Sequence, residues 1–271
     1  MKKILLFILM LVLGTVSFAE NIVITSIQPL YSLTSYLTKG TDIKVYTPFG
    51  SDTSMTMSKE AIREEGFDLS VAKKAQAVVD IAKVWPEDVI YGKARMNKIN
   101  IVEIDASYPY DEKMTTIFFS DYSNGEVNPY IWTGSKNLVR MVNIISRDLI
   151  RLYPQNKAKI EKNVNKFTND LLKIENEANE KLLSVDNASV ISLSENLQYF
   201  LNDMNIYAEY VDYDSVTAEN IANLVKDKGI KVVISDRWLK KNVIKALKDA
   251  GGEFVIINTL DIPMDKDGKM D

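Results

Sequence analysis

Short runs of β-branched and aliphatic residues alternate along the chain with longer stretches in which apolar residues recur every three or four positions. The first part of the chain has four such runs, at 22–27, 42–48, 77–82 and 99–105. The last part has four more, at 188–194, 206–212, 230–236 and 253–259. Strands that alternate with helices favour βαβ units. The pattern therefore predicts an α/β protein of two lobes, each with a mostly parallel four-stranded sheet flanked by helices.

The middle of the chain, from about Ser135 to Leu183, is almost entirely helix-forming. It is interrupted at Tyr153 and Pro154, where a proline suits the first turn of a new helix. Beyond this break, apolar residues from Ile160 onward follow one another at spacings of three and four. A helix of about 30 residues would be roughly 45 Å long, which is enough to reach both lobes. We therefore predict two lobes joined by one long rigid linking helix.

These patterns divide the chain into four parts. We predict a signal peptide at 1–19, an N-terminal α/β lobe at 20–134, a helical segment at 135–184 and a C-terminal α/β lobe at 185–271. The first part has two lysines, a short apolar run and the small-residue pattern before Glu20 that favours cleavage near Ala19. The apolar run is too short for a comfortable membrane span. We expect a protein exported to the periplasm.

Composition narrows the possible partners. Of the 271 residues, 46% are hydrophobic and 26% are charged, so the chain can bury a sizeable core. The formal net charge is -4, and there is no long basic run that would suit a phosphate backbone. Nucleic acid is therefore not an expected partner, and we expect a monomer.

The chain contains no cysteine and no histidine. Without cysteine there is no disulfide, no thiolate metal site, no cysteine nucleophile and no lipid-modified cysteine at the cleavage site. Without histidine, the commonest general base and the commonest metal ligand are both missing. The sequence also lacks a Gly-x-Ser-x-Gly elbow and a phosphate-binding glycine loop. We expect no enzymatic activity.

Polar side chains follow the predicted strands at the positions where each strand ends. They lie within 47–55, at 194–195, at 235–237 and at 258–259, and the segment 128–132 lies where the first lobe passes into the helical middle. In open parallel sheets, ligands bind beyond the carboxyl ends of the strands. These segments can therefore converge on one cleft.

Three stretches, in this order, carry a resemblance to a known family. They read VITSIQPLYSLTSYLTKG, TPFGSDTSMTMSKEAI and NPYIWTGSKNLVRMVNIISRDLIRLYPQNKAKIEKN. The chain resembles the metal-specific substrate-binding proteins of ABC transporters, which take up zinc and manganese, over essentially its whole mature length. The resemblance implies two lobes bridged by a rigid helix, with a metal ion held in the cleft and delivered to a membrane permease. It also implies a further helix after the final segment, whereas the chain stops at Asp271.

The resemblance also implies which positions would contact the metal. The first family histidine falls on Ser54, the second on Tyr130 and the third on Ser194, with Glu195 beside it. Two carboxylate positions complete the implied set and fall on Asp236 and Asn258. None of the family histidines is present, so the resemblance carries over the fold more securely than the ligand.

Oxygen atoms dominate this set of positions. Zinc in proteins prefers sulfur and imidazole nitrogen, which this chain cannot supply. Carboxylates, hydroxyls and an amide suit hard ions such as manganese, magnesium or calcium. We therefore expect a divalent metal ion, with manganese or another hard ion favoured over zinc.

Other metals and purely structural interpretations remain open at these positions. Tyr130 would bind ferric iron as a phenolate, with help from Tyr31 or Tyr108, although ordinary packing is favoured for these two. Met55 and Met57 would offer sulfur to cuprous copper if the segment were extended, although packing is favoured again.

The two carboxylates have structural alternatives of their own. Asp236 precedes Arg237 and can form a local ion pair or a helix cap. Glu195 can stabilise the dipole of a following helix.

Three functions compete on this evidence. The favoured one is capture of a metal ion, or of a metal complex, for an ABC transporter. The second is the same fold with a non-metal small ligand, in which Tyr130, Trp132 and Trp238 form aromatic walls. The third is an adhesin-like or partner-binding protein with a vestigial site, because a fold alone does not fix a function.

Overall fold

The computed structural model describes residues 20–50, 53–111, 113–185 and 188–261. The predicted signal peptide at 1–19 and the end of the chain from 262 lie outside the described residues. Within the described part, eight strands form two separate four-stranded sheets.

The first sheet has the order β2-β1-β3-β4 and is parallel throughout. Its strands are β1 Asn21–Thr25, β2 Ile43–Tyr46, β3 Ala77–Asp80 and β4 Val102–Asp105. The second sheet repeats this arrangement, with the order β6-β5-β7-β8 and parallel pairing. Its strands are β5 Ser189–Ser192, β6 Tyr207–Tyr210, β7 Val232–Ser235 and β8 Glu253–Ile256. The predicted fold class is confirmed.

Helices cover both faces of each sheet. The first lobe contains α1 Gln28–Leu37, α2 Met55–Arg63 and α3 Ile90–Asn97. The helical middle consists of α4 Ser135–Leu152 and α5 Lys157–Leu182, and the second lobe contains α6 Gln198–Asp203, α7 Ile221–Lys228 and α8 Lys241–Asp249. Parallel sheets covered in this way have strands that are apolar on both faces, and β3 is buried at every position.

The core of the first lobe has two layers, one on each face of the sheet. Val23 and Val79 pack in the layer that contains α1 and α4, where Met141 and Ile145 are completely buried. Alternate residues of the same strands, such as Val78, pack in the opposite layer. This alternation follows from the two-residue repeat of a strand.

The long helix α5 connects the lobes as predicted. It begins shortly after Pro154, has 26 residues and is about 39 Å long. Its N-terminal half lies on the first lobe, where Asn163 donates a hydrogen bond of 2.8 Å to the carbonyl of Leu37 and Phe167 packs edge-on against Tyr36. Its C-terminal end leads into β5. Of the helices in the described ranges, none is both long enough and apolar enough to cross a membrane.

Direct hydrogen bonds also join the two lobes. The indole nitrogen of buried Trp132 donates to the carbonyl of Thr259, 2.6 Å away, just after β8. The hydroxyl of Tyr199 in α6 donates to the carbonyl of Asn128 at 2.9 Å and accepts from the backbone of Ser120 at 3.0 Å. These contacts fix the segment 128–134 against the second lobe.

Candidate ligand-binding cleft

A cleft of about 940 Å³ lies where the carboxyl ends of the second sheet meet the first lobe. It is lined from both lobes, and its walls are mainly hydroxyl, amide and carboxylate side chains. The lining residues that matter below are Ser54, Ser123, Tyr130, Ser192, Ser194, Glu195, Asn196, Tyr210, Asp212, Tyr213, Asp236, Arg237, Asn258 and Asp261. All six positions singled out from the sequence are among them.

Ser54 stands at the N-terminus of α2. Its side chain accepts a hydrogen bond from the backbone of Met57 at 3.2 Å, so it caps the helix. The neighbouring backbone N–H of Met55 donates to Asp261 Oδ1 at 2.7 Å. A carboxylate from the second lobe therefore sits on the positive end of a helix of the first lobe.

Tyr130 contacts the same carboxylate. Its hydroxyl donates to Asp261 Oδ2 at 2.9 Å, and its ring lies 5.1 Å from that of Trp132. Burial, together with the negative charge of Asp261, raises the pKa of Tyr130 far above its ordinary value. The phenol therefore stays protonated at neutral pH.

Ser194 and Glu195 form the turn that follows β5. The Ser194 side chain accepts from the backbone of Asn196 at 3.2 Å, which again is a capping contact. Glu195 Oε2 accepts from the backbone of Ser123 at 2.8 Å, and the Glu195 carbonyl accepts from the amide of Asn128 at 2.8 Å. The turn is thus held to the first lobe on both sides.

Asp236 follows β7 and is only partly satisfied. Its Oδ2 accepts from the Asn196 amide at 2.7 Å, and Asn196 in turn accepts from the Tyr122 hydroxyl at 2.7 Å. Its Oδ1 is buried and has no hydrogen-bond partner among the described residues. Arg237 does not supply one, because its guanidinium lies over the ring of Tyr213, 3.9 Å from the centroid. The local ion pair considered for Asp236 and Arg237 is therefore wrong.

Asn258 lies at the exposed edge of the cleft, where its side chain accepts from the backbone of Leu260 at 2.8 Å. Asp261, three residues further on, is the carboxylate that reaches into the cleft. The sequence analysis missed it, although it is the first carboxylate after β8. The turn that places it there includes Leu260 at a positive φ of 60°, which is uncommon for a residue other than glycine.

Several residues weighed from the sequence lie elsewhere. Met55 is buried in the core and Met57 is half exposed on the helix α2, so the two do not form a pair of sulfur ligands. Trp132 is a buried framework residue, and Trp238 is 70% exposed. The aromatic walls of the cleft are instead Tyr130, Tyr210 and Tyr213.

The cleft carries an excess of negative charge. Four carboxylates line it, from Glu195, Asp212, Asp236 and Asp261, against the single guanidinium of Arg237, which gives a formal balance of -3. Burial, and next the charge of Glu195, raises the pKa of Tyr210 to about 12, so this phenol is also neutral. In the part of the chain that the structure describes, however, no three His, Cys, Asp or Glu side chains are grouped closely enough to hold a metal ion.

Two parallel α/β lobes, joined by a long helix and lining one polar cleft, define a two-lobed solute-binding protein. The chain belongs to the family of ZnuA, the periplasmic component A of the zinc-uptake complex, whose model matches residues 23–269. The predicted family is therefore confirmed. This is a family of transport-associated solute-binding proteins and not of enzymes.

Three solved structures with the same fold are distant from this chain in sequence. The metal-dependent lipoprotein YcdH of Bacillus subtilis is 16% identical, with a TM-score of 0.70 over 89% of each chain. The Zn(II)-bound ZnuA-like domain of Streptococcus pneumoniae AdcA is 18% identical, with a TM-score of 0.67 over 89% of this chain and 88% of that one. FpvC of Pseudomonas aeruginosa in complex with Mn²⁺ is 16% identical, with a TM-score of 0.66 over 89% of each chain. No curated protein sequence is similar enough to match this chain.

Proposed function

We propose that the protein is the extracytoplasmic solute-binding component of a metal-ion ABC transporter. It captures a divalent metal ion, or a complex of one, in the cleft and delivers it to a membrane permease. The first 19 residues act as a cleaved signal peptide, so the mature protein works in the periplasm. It works there as a monomer. The membership of the ZnuA family and the solved neighbours that hold Zn(II) or Mn²⁺ support this assignment.

The observation that carries the proposal is the convergence of the matched positions. Ser54 and Tyr130 from the first lobe and Ser194, Glu195 and Asp236 from the second all line one cleft of negative charge. Oxygen atoms are the only ligands these residues offer. A hard cation such as manganese, magnesium or calcium suits such a lining better than zinc does.

Asp261 joins this set in our proposal. It takes the place that the sequence comparison gave to Asn258, because its carboxylate bonds to Tyr130 and to the backbone of Met55 inside the cleft. Asn258 then contributes at most a neutral oxygen at the rim.

Melting curves with added metal test the proposal. The protein is expressed from its full coding sequence, purified from the exported fraction, weighed by mass spectrometry and analysed for bound metals. Melting is then repeated with manganese, magnesium, calcium, iron and zinc. A ligand at 100 times its dissociation constant stabilises the folded state by about 2.7 kcal/mol, so binding gives a clear rise in Tm.

Two variants place the site. Asp236→Ala should abolish the rise in Tm, whereas Asp227→Ala, on the exposed surface of α7, should preserve it. No bound metal and no rise with any of the five ions would refute the proposal.

A further inference from the structure

We infer that the cleft takes its cation as a hydrated ion, holding it through the ion's own water shell and not through direct protein-metal bonds. The inference rests on the proposed function and specifies the form of the cargo. It follows from four features of the cleft: the spacing of its carboxylates, the contacts that already occupy them, its size and its charge.

Direct coordination needs several protein atoms around one point. Calcium and magnesium ligands lie about 2.0–2.6 Å from the ion, and a tetrahedral zinc site takes three or four protein side chains. Over the described residues, no three carboxylates come close enough together to form such a site. The cleft thus has negative charge without a ready-made set of ligands.

The carboxylates are also held by other parts of the protein. Asp261 uses one oxygen for the backbone of Met55 and the other for the hydroxyl of Tyr130. Glu195 uses one oxygen for the backbone of Ser123, and Asp236 uses one for Asn196. Hydrogen bonds to ionised acceptors are among the stronger kinds in proteins, so these contacts hold each carboxylate at its position. The framework therefore keeps the carboxylates apart.

The size of the cleft fits a cation with its waters. An ion with six waters at about 2.1 Å, each with a radius of about 1.4 Å, has an outer radius of about 3.5 Å and a volume of roughly 180 Å³. The cleft, at about 940 Å³, admits this species with room for bridging water.

The chemistry of the lining matches the surface of such an ion. Bound waters present only O–H donors and a positive charge, so they require acceptors and negative charge around them. The lining supplies a formal balance of -3. Serine hydroxyls at Ser123 and Ser194 and the rim amide of Asn258 are further groups able to accept from water. Magnesium in particular gives up its waters reluctantly and is often bound through them.

An exchange-inert complex separates the two modes of binding. Hexaamminecobalt(III) has the octahedral shape of a six-water ion and presents N–H donors where that ion presents O–H donors, but it does not exchange a ligand to let the protein coordinate the metal. We expect calorimetric titration to detect its binding to the full exported protein, and we expect it to compete with magnesium and manganese for the same site.

Two cleft variants test where it binds. Asp236→Asn and Glu195→Gln should each weaken the binding of both the inert complex and the aqua ions at least ~10-fold, equivalent to about 1.4 kcal/mol. Asp227→Asn on the exposed face of α7 should leave both unchanged.

The outcomes distinguish this inference from the proposed function. If magnesium or manganese binds but the inert complex neither binds nor competes, the metal is coordinated directly. In that case the inference fails and the proposed function stands. Binding of the inert complex that neither cleft variant weakens would place it outside the cleft and would also overturn the inference. The proposed function fails as well only if the purified protein holds no metal and none of the five ions raises its Tm. The melting temperature of each variant without ligand shows whether it is folded.

Discussion

The hydroxyl of Tyr130 donates a hydrogen bond of 2.9 Å to Asp261 Oδ2, so a residue of the first lobe and a residue that follows the last strand of the second lobe meet inside the cleft. The other oxygen of Asp261 accepts from the backbone of Met55, at the start of α2. One carboxylate thereby connects two separate segments of the first lobe to the second. The lobes are joined at the place where the ligand is proposed to bind.

Removing the hydroxyl of Tyr130 should weaken the contact between the two lobes at Asp261. Tyr130→Phe keeps the ring against Trp132 but leaves Asp261 Oδ2 without this donor. Because hydrogen bonds to charged groups contribute about 1.5–3 kcal/mol, we expect the free energy of unfolding to fall by about this amount. Urea denaturation followed by tryptophan fluorescence measures it.

A second tyrosine provides the control. The hydroxyl of Tyr207 lies 3.4 Å from Glu209 on the exposed surface of β6, so Tyr207→Phe should change the free energy of unfolding by less than ~0.5 kcal/mol. Equal effects of the two substitutions would mean that the contact between Tyr130 and Asp261 contributes nothing to stability.

The strands and the long helix were predictable because they depend on local pattern. A strand buried on both faces is a nearly continuous apolar run, as in Ala77, Val78 and Val79 of β3, and all eight runs appear as strands. The predicted runs were longer than the strands they describe. The run 230–236, for example, corresponds to β7 at Val232–Ser235, and Asp236 leaves the ladder to line the cleft.

The contacts within the cleft were not predictable in the same way. Asn196 is hydrogen-bonded to Tyr122, which is 74 positions away, and to Asp236, which is 40 positions away. No spacing in the sequence indicates either contact. Asp261 reaches Tyr130 from a turn in which Leu260 adopts a left-handed conformation, which leucine rarely does and which no pattern in the sequence indicates. The resemblance to the family located the cleft, and the tertiary fold decided which carboxylate enters it.

Restoring imidazoles at the matched positions should create zinc binding. We expect Ser54→His, Tyr130→His and Ser194→His together to raise zinc affinity at least ~10-fold, since imidazole nitrogen is a preferred zinc ligand. Asp261 lies beside position 130 and can accept the second N–H of a histidine there, as carboxylates do for zinc-bound histidines. Competition with a fluorescent zinc chelator measures the affinity.

The design also has a matched control. Three histidines at exposed Lys226, Asp227 and Lys248 test whether added imidazoles alone raise zinc binding. If the cleft variant binds zinc no better than this surface variant, the correspondence between these positions and the family histidines is incorrect.

The buried carboxylate of Asp80 should make stability depend on pH. Asp80 is completely buried at the end of β3, next to Asp105 across the β3–β4 pair, and neither of its oxygens has a hydrogen-bond partner within the described ranges. Burial, and then the charges of Asp88 and Asp105, raises the pKa of Asp80 well above its ordinary value. Burial likewise raises the pKa of Asp88 to about 6.

The free energy of unfolding depends on pH because the folded and unfolded states bind different numbers of protons. An unfolded aspartate titrates near pH 3.9, so above that pH the folded state binds more protons than the unfolded state does. The free energy of unfolding therefore falls as pH rises from about 4 through about 6 and beyond.

Asp80→Asn removes the buried acid and should stabilise the protein at pH 8 by at least ~1 kcal/mol, with little effect at pH 4. Thermal melts at both values measure the difference, and the exposed Glu60→Gln is the control. Equal effects of Asp80→Asn at pH 4 and pH 8 would contradict this assignment.

Gly134 lies at the start of α4, packed against the second lobe. A methyl carbon added there would lie 2.9 Å from Asp203 Oδ2 and 2.9 Å from Tyr199 Cβ, both in α6 of the second lobe. These distances are shorter than normal contacts, so Gly134→Ala must push α6 away or shift α4. We expect it to lower the free energy of unfolding by about 1–3 kcal/mol, the usual cost of overpacking.

Gly92 in α3 gives the opposite expectation for the same chemical change. A methyl group added there meets no described atom within 4 Å, and alanine is the better helix former. Gly92→Ala should therefore raise the free energy of unfolding by about 0.4–1 kcal/mol. Denaturation of the two variants side by side separates a helix-propensity effect from a steric one. A stabilising Gly134→Ala would show that the lobes can separate at this point without cost, and that the contact between α4 and α6 does not hold the cleft in its shape.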